Sequence, residues 1–140
     1  MRYLCLDLGK KRIGVAVSDE TALIATPLGT INVTSREQVF QAILRYLSEQ
    51  AAVRLIIGLP LRLSGEEGIE SNRAREFANA FAKRTDVPIY FVDERLSSVE
   101  ASRMMQEAGV KSRKRRINID AQAAAVILQA YLDTERSLSK

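Results

Sequence analysis

The chain has 140 residues, of which 46% are hydrophobic, and its 21 Lys and Arg against 17 Asp and Glu give a formal net charge of +4. This length allows one domain with a single core, so we expect one domain over residues 1–140. Because histidine is absent and Cys5 is the only cysteine, the composition excludes a Ser-His-Asp triad, an intrachain disulfide and a zinc site built from His and Cys.

The charge and the hydropathy pattern indicate where such a chain would act. A sequence pI near 9.5 favours a polyanionic partner such as nucleic acid. The first apolar run is cut short by Asp7, so it does not form the apolar region of a signal peptide, and no stretch approaches the ~20 apolar residues that span a bilayer. We therefore expect a soluble, cytoplasmic protein without a membrane segment.

The amino-terminal part of the chain predicts three strands joined by hairpins. The run Arg2–Leu8 is almost continuously apolar, as in a strand covered on both faces of a sheet. Ile13–Ser18 is the returning strand, and a third strand lies around Leu23–Val33. Pro27 in this third strand cannot donate a hydrogen bond to the ladder, so we expect an edge position or a bulge.

From Ser35 onward, helices alternate with strands. Ser35 and Gln38 resemble a capping box, and the apolar residues that follow recur at helical spacing. Val53–Leu59 is an apolar strand, Glu70–Arg84 has the spacing of a helix, and Val87–Val92 is a further strand.

The carboxyl-terminal part predicts two helices separated by a basic loop. Ser97 and Glu100 form a second capping box that opens a helix to about Ala108. The loop Lys111–Arg116 has five cations in six residues, and a last helix runs from about Ile119 to Asp133.

The order of these elements predicts an α/β fold. Strands joined by hairpins pair antiparallel, whereas a strand-helix-strand crossover returns parallel and right-handed. The expected architecture is a mixed five-stranded sheet, with its first three strands antiparallel, flanked by helices.

Three acids occupy positions that core packing alone does not explain. Asp7 and Glu94 each lie at the carboxyl end of a predicted strand, the edge at which ligands bind in sheets with parallel strands. Asp120 lies at the start of the apolar stripe of the last helix and should face the sheet. Each could also be a turn residue, an ion-pair partner or a helix-dipole acid. Together, on a histidine-free chain, they indicate a carboxylate site for Mg²⁺ or Mn²⁺.

A fourth acid, Asp93, directly precedes Glu94. Because side chains alternate along a strand, Asp93 should point to the face opposite Glu94.

Cations cluster in two places that could bind nucleic-acid phosphates. A run of charge is also common on a solvated face, so this pattern alone leaves both readings open. Aromatic residues fit apolar strands and stripes, so recognition would act through backbone charge and shape. The candidate phosphate-binding residues are Lys10, Lys11, Arg12, Lys111, Arg113, Lys114, Arg115 and Arg116.

Four motifs resemble those of one family. They are Asp-Leu-Gly-Lys-Lys-Arg-Ile-Gly-Val-Ala-Val-Ser-Asp at 7–19, Ile-Gly-Leu-Pro at 57–60, Val-Asp-Glu-Arg-Leu-Ser-Ser at 92–98, and Asp-Ala-Gln-Ala-Ala-Ala-Val-Ile-Leu-Gln-Ala-Tyr-Leu at 120–132. These motifs span the chain nearly end to end, and together they are similar to those of the YqgF, or RuvX-like, family of bacterial nucleases.

The resemblance implies a ribonuclease H-like fold and a metal-dependent nuclease. The family is described both as a nuclease that matures the 5′ end of pre-16S rRNA and as a Holliday junction resolvase. On its pattern, Asp7, Glu94 and Asp120 match the catalytic and metal-binding acids. The implied mechanism is in-line hydrolysis with two divalent ions, and Asp7 is the best candidate to bridge them.

Two functions of other classes remain open from the sequence. The Asp-x-Gly turn resembles the phosphate loop of actin-like and sugar kinases, which would make the chain an ATP-binding module. A non-catalytic nucleic-acid-binding domain would keep the basic residues without needing the acids. No exposed apolar stripe is left over for an obligate interface, so we expect a monomer or a weak homodimer.

Overall fold

The computed structural model describes residues 1–60, 64–96 and 113–138. These residues form five strands and three α-helices, with a short 3₁₀ turn after the last strand. In chain order they are β1 (Arg2–Leu8), β2 (Arg12–Ser18), β3 (Ala25–Asn32), α1 (Arg36–Glu49), β4 (Ala52–Leu59), α2 (Ile69–Ala82), β5 (Ile89–Asp93), the 3₁₀ turn (Glu94–Leu96) and α3 (Arg113–Leu138).

The strands form one mixed sheet in the order β3-β2-β1-β4-β5. Strands β1, β2 and β3 are antiparallel neighbours, whereas β4 is parallel to both β1 and β5. This arrangement confirms the predicted five-stranded sheet. Strand β1 lies at its centre, and both faces of the strand are buried.

Strand β3 is an edge strand with an irregular register. Pro27 lies opposite Ala16, whereas Gly29 lies opposite Val15, so the pairing shifts between these two positions of β2. The extra residue in β3 is Leu28. The edge position and the bulge that Pro27 predicted are both confirmed, because a proline tolerates only places where no ladder donor is needed.

Helix α1 begins with half of the predicted capping box. The Ser35 Oγ accepts a hydrogen bond from the backbone N–H of Gln38 at 3.2 Å, which satisfies one of the free donors of the first turn. The side chain of Gln38 does not complete the box, because its Oε1 accepts instead from the Thr34 hydroxyl at 2.7 Å.

Alternate residues of β1 supply two separate cores. Leu4 and Leu6 belong to the core under α1 and α2, whereas Tyr3 and Cys5 belong to the core under α3. Each is at most 1% exposed. Burying a leucine side chain contributes about 1.5–3 kcal/mol, so the alternation fixes which face of β1 each helix covers. Asp7 continues the Tyr3 and Cys5 series and therefore lies on the α3 face.

Helix α3 is longer than the sequence predicted. It begins at Arg113 instead of Ile119 and continues to Leu138, so the assignment of residues 113–116 to a loop was wrong. Residues 113–138 contain neither glycine nor proline, and arginine and lysine are good helix formers. A run of cations is typical of an exposed loop, and for that reason the sequence predicted one here.

Lys111 and the helix predicted from Ser97 to about Ala108 lie outside the described residues. Among the helices that the structure describes, none has a stretch long and apolar enough to cross a bilayer.

The carboxyl-terminal half of α3 is attached to the sheet by a group that we call the tyrosine clasp, formed by Tyr3, Arg54, Tyr131 and Glu135. The Arg54 guanidinium donates to Glu135 at 2.6 Å and to the Tyr131 hydroxyl at 3.0 Å, and Tyr3 donates to Glu135 at 3.1 Å. The guanidinium lies 4.8 Å from the Tyr3 ring centre and 5.0 Å from that of Tyr90. Burial, and then hydrogen bonding to Glu135, raises the pKa of Tyr131 to about 12.

Candidate active site

Asp7 lies between two glycines on the α3 face of the sheet. Its antiparallel partner in β2 is Gly14. On the other side, the parallel register that pairs Leu6 with Ile57 places Gly58 of β4 next to it. Both glycines belong to the series that faces α3, so neither neighbouring strand projects a side chain beside the Asp7 carboxylate. The space around Asp7 is therefore open to groups from other elements.

The spaces above Gly14 and Gly58 are filled by the segments that carry Asp120 and Glu94. A Cβ atom added at Gly14 would lie 2.0 Å from the backbone oxygen of Asp120, so the α3 backbone rests directly on β2 at this point. A Cβ atom added at Gly58 would lie 2.8 Å from Oε1 of Glu94 and 3.1 Å from Cδ1 of Ile127. The glycines thus allow Asp120 and Glu94 to approach the sheet on either side of Asp7.

Sequence reasoning missed the role of these glycines. Each interrupts an apolar strand, in Ile13-Gly14-Val15 and Ile57-Gly58-Leu59. A glycine inside a strand often marks close approach of another group, and that signal was available. It identifies the neighbours of Asp7 but not the residues that approach them.

Asp7 and Glu94 are both buried, at 6% and 9% exposed. Both act on the thiol of Cys5, two residues before Asp7 on the same face. Burial raises the pKa of Cys5 well above its ordinary value, and the negative charges of Asp7 and Glu94 raise it further. The site is a region of concentrated negative charge, and Cys5 is held in the neutral thiol form there.

Asp120 is held by an arginine at the edge of the same site. The Arg12 Nε donates to Asp120 Oδ2 at 2.6 Å, and the two side chains are 24% and 19% exposed. Arg12 lies two residues before Gly14 on β2, and Gly14 is the partner of Asp7 in the sheet. Within residues 1–60, 64–96 and 113–138, no three or more acidic or thiol side chains are arranged to hold a metal ion.

Asp93 lies on the other face of the sheet from Glu94, as strand alternation predicted. Val92 packs in the α3 core and Phe91 against the opposite core, which places Asp93 on the side of Phe91. Its carboxylate accepts from the Arg95 guanidinium at 2.6 Å and from the Arg95 backbone N–H at 2.9 Å. These bonds lower the pKa of Asp93, as expected of a structural ion pair.

The candidate phosphate-binding residues that the structure describes lie on two elements. Lys10 and Lys11 are exposed on the β1–β2 turn, immediately after Asp7 and Leu8, whereas Arg12 is partly buried. In the second group, Arg113, Lys114, Arg115 and Arg116 lie in the first turns of α3, the helix that carries Asp120.

The fold is shared with Holliday junction resolvases of known structure. The RuvC of Thermus thermophilus, solved with a Holliday junction substrate, matches with a TM-score of 0.58 at 14% identity, over 98% of this chain and 96% of that one. The fowlpox virus Holliday junction resolvase matches with a TM-score of 0.53 at 13% identity, over 96% of this chain and 99% of that one. Identities this low show the fold alone, which is the ribonuclease H-like fold of the resolvases.

Sequence comparison then identifies the family. The family described as "RuvX: Holliday junction resolvase" matches residues 1–134. A relative from Roseiflexus sp. (strain RS-1) is 41% identical over 135 residues, 96% of each chain. One from Anaeromyxobacter sp. (strain Fw109-5) is 44% identical over 133 residues, 95% of this chain and 97% of its own. Both are named "Putative pre-16S rRNA nuclease". The chain belongs to the RuvX family, which confirms the resemblance that its motifs predicted.

Proposed function

We propose that the chain is a metal-dependent endonuclease whose site is formed by Asp7, Glu94 and Asp120. The observation that carries this proposal is the row of Gly14, Asp7 and Gly58 on the α3 face. The two glycines let Asp120 and Glu94 approach the sheet on both sides of Asp7. This clearance brings acids from three separate elements towards one part of the sheet, as carboxylates that share a cation require.

The donor set fits a hard divalent cation. Asp7 and Glu94 offer carboxylate oxygens, the ligands that Mg²⁺ and Mn²⁺ prefer, and one cysteine on a chain without histidine is too few ligands for a soft-metal site. We propose that Asp7 would be the central ligand, because it lies between the places where the segments of the other two acids approach the sheet. Divalent ions held there would supply a water of lowered pKa and neutralise charge on the phosphate.

The remaining steps use this chain's own residues. In hydrolysis the oxygen of a water attacks phosphorus, the bond from phosphorus to the leaving oxygen breaks, and the leaving oxygen gains a proton. Lys10 and Lys11, exposed directly after the strand that carries Asp7, would bind phosphate oxygens next to the bond that is cut. Lys111 and the cations at the start of α3 would bind other phosphates of the same nucleic acid.

We propose pre-16S rRNA as the substrate, with cleavage at its 5′ end. The relatives that bear this name are 41% and 44% identical and cover nearly the whole chain, whereas the resolvases of known structure are 13–14% identical. Greater sequence similarity gives the RNA substrate more weight.

The test is cleavage of a 5′-extended precursor RNA and of a synthetic four-way DNA junction by the same preparation. We expect cutting of the RNA in Mg²⁺ or Mn²⁺, loss of cutting in EDTA, and loss in Glu94→Gln. Full cleavage in excess chelator would overturn the metal mechanism, and cleavage by Glu94→Gln at the wild-type rate would remove that residue from the site.

Resolution of Holliday junctions is the second candidate, favoured by the description of the family itself. Resolving a junction needs two symmetric cuts, so the enzyme would have to form a two-fold dimer with both sites on one junction. Sedimentation that shows a tight dimer, together with paired nicks in the junction, would reverse the choice of substrate.

A further inference from the structure

Arg12 links the hairpin between β1 and β2 to Asp120 on α3. It begins β2, lies on the same face as Gly14, and donates from Nε to Asp120 Oδ2 at 2.6 Å. Within the described part of the chain, this is the one ion pair or hydrogen bond that either side chain makes. Arg12 therefore neutralises the carboxylate that a cation held by Asp120 would also need.

We propose that Arg12 exchanges partners when the site is loaded. In the metal-free protein it neutralises Asp120; on metal binding it leaves Asp120, and its guanidinium then binds a substrate phosphate beside the bond that is cut. This inference rests on the proposed function, and it assigns Arg12 as a positioning residue that couples metal binding to substrate binding.

The chemistry of arginine supports an exchange more than a fixed contact. A guanidinium cannot lose its proton in a protein, so release from Asp120 leaves a cation at the edge of the site. That cation and a divalent ion repel each other until an anion lies between them, and a phosphate can accept two parallel N–H donors from arginine. Binding of the metal and of the nucleic acid should therefore strengthen each other, by the same factor in either order.

The hairpin supplies a matched control for this role. Lys11 directly precedes Arg12 and carries the same charge, but it is exposed, and no ion pair of its side chain is found among the described residues. Loss of charge at Lys11 should weaken nucleic-acid binding without changing metal affinity. Loss of Arg12 should weaken nucleic-acid binding and strengthen metal binding.

The first experiment measures Mn²⁺ binding by calorimetry in the absence of nucleic acid. For Arg12→Ala we expect an affinity about tenfold higher than wild type, the equivalent of removing one competing charge-assisted hydrogen bond. For Lys11→Ala we expect no change. An unchanged or lower affinity in Arg12→Ala would overturn the exchange.

The second experiment uses the unmodified chain and follows arginine Nε signals by NMR as Mg²⁺ is added. The Arg12 signal should move at the metal concentration at which calorimetry shows binding, while the signal of Arg54 in the tyrosine clasp stays in place. Metal binding with a stationary Arg12 signal would overturn the exchange and leave the nuclease proposal intact. Absence of metal binding would overturn both.

Discussion

Helix α3 is attached to the sheet by two arginine-carboxylate pairs of the same length. Arg54 contacts Glu135 and Arg12 contacts Asp120, each at 2.6 Å. The side chains of the first pair are 29% and 35% exposed, and those of the second pair are 24% and 19% exposed. Distance and burial therefore do not distinguish the two attachments.

Their surroundings do. In the tyrosine clasp, the Arg54 guanidinium also stacks on aromatic rings and donates to Tyr131, and Glu135 also accepts from Tyr3. The pair is one part of a network whose members support each other. The Arg12–Asp120 pair lies instead beside Gly14, the partner of the buried Asp7 in the sheet. The role of an ion pair therefore depends on its neighbours: other hydrogen bonds and rings support the first pair, whereas the second lies at the candidate site.

The largest expected effect is on the cleavage rate, which should depend on Asp120 but not on Glu135. Asp120→Asn should lower kcat by more than about 100-fold, since loss of even an outer-shell partner of a metal costs 10- to 100-fold. Glu135→Gln should cleave at nearly the wild-type rate because the clasp is remote from Asp7. Initial rates on precursor RNA at saturating Mg²⁺ measure both. Equal losses in the two variants would show that Asp120 acts only by holding α3.

The two glycines beside Asp7 should respond differently to a methyl group. In Gly14→Ala the new Cβ meets the backbone of α3 at 2.0 Å, so the helix must shift, and we expect a loss of about 1–3 kcal/mol in the free energy of unfolding. In Gly58→Ala the new Cβ meets side-chain atoms only, Oε1 of Glu94 at 2.8 Å and Cδ1 of Ile127 at 3.1 Å, and side chains can shift more readily than a helix backbone.

Gly58→Ala should therefore lose less stability than Gly14→Ala, but it should lose activity because Glu94 is displaced. Urea unfolding and cleavage rates of both variants provide the check. A fully active Gly58→Ala would mean that the position of Glu94 beside Asp7 does not matter for the reaction.

The arginines themselves should differ in what they contribute to stability. Arg54→Ala removes two hydrogen bonds and two ring contacts, so we expect a loss of about 1–2 kcal/mol, discounted for partial exposure. Arg12→Ala removes a single ion pair, so the loss in the free energy of unfolding should stay below about 1 kcal/mol. Thermal and urea unfolding of the two variants compare them directly. A larger loss in Arg12→Ala would make that pair a structural support and contradict the comparison.

The tyrosine clasp should also make stability depend on pH in the alkaline range. The pKa of Tyr131 is about 12 in the folded chain and about 10 in an unfolded one. Between these values the unfolded state loses the proton while the folded state keeps it, so the free energy of unfolding should fall as pH rises. Urea unfolding from pH 9 to pH 11 should show this fall, and Tyr131→Phe should make it shallower. The same slope in the variant would exclude Tyr131 as its source.

The periodicity of the sequence predicted most of the fold, and it predicted the face on which each acid lies. Alternation along β1 places Asp7 with Tyr3 and Cys5, and helical spacing places Asp120 with Ile127. It could not predict that Arg12 pairs with Asp120, because that contact joins residues 108 positions apart and depends on where α3 crosses β2. It also misplaced the start of α3, since a run of cations reads as a loop although lysine and arginine favour helices.

The most direct test of the central claim, that Asp7, Glu94 and Asp120 form one metal site, is to locate the ion by its chemistry. Fe²⁺ is bound in place of Mg²⁺ and treated with ascorbate and peroxide, and the backbone cuts are mapped by mass spectrometry. We expect cuts next to Asp7, Glu94 and Asp120, and we expect them to disappear with excess Mg²⁺ and in Asp7→Asn. Cuts elsewhere, or cuts that persist in Asp7→Asn, would contradict the claim.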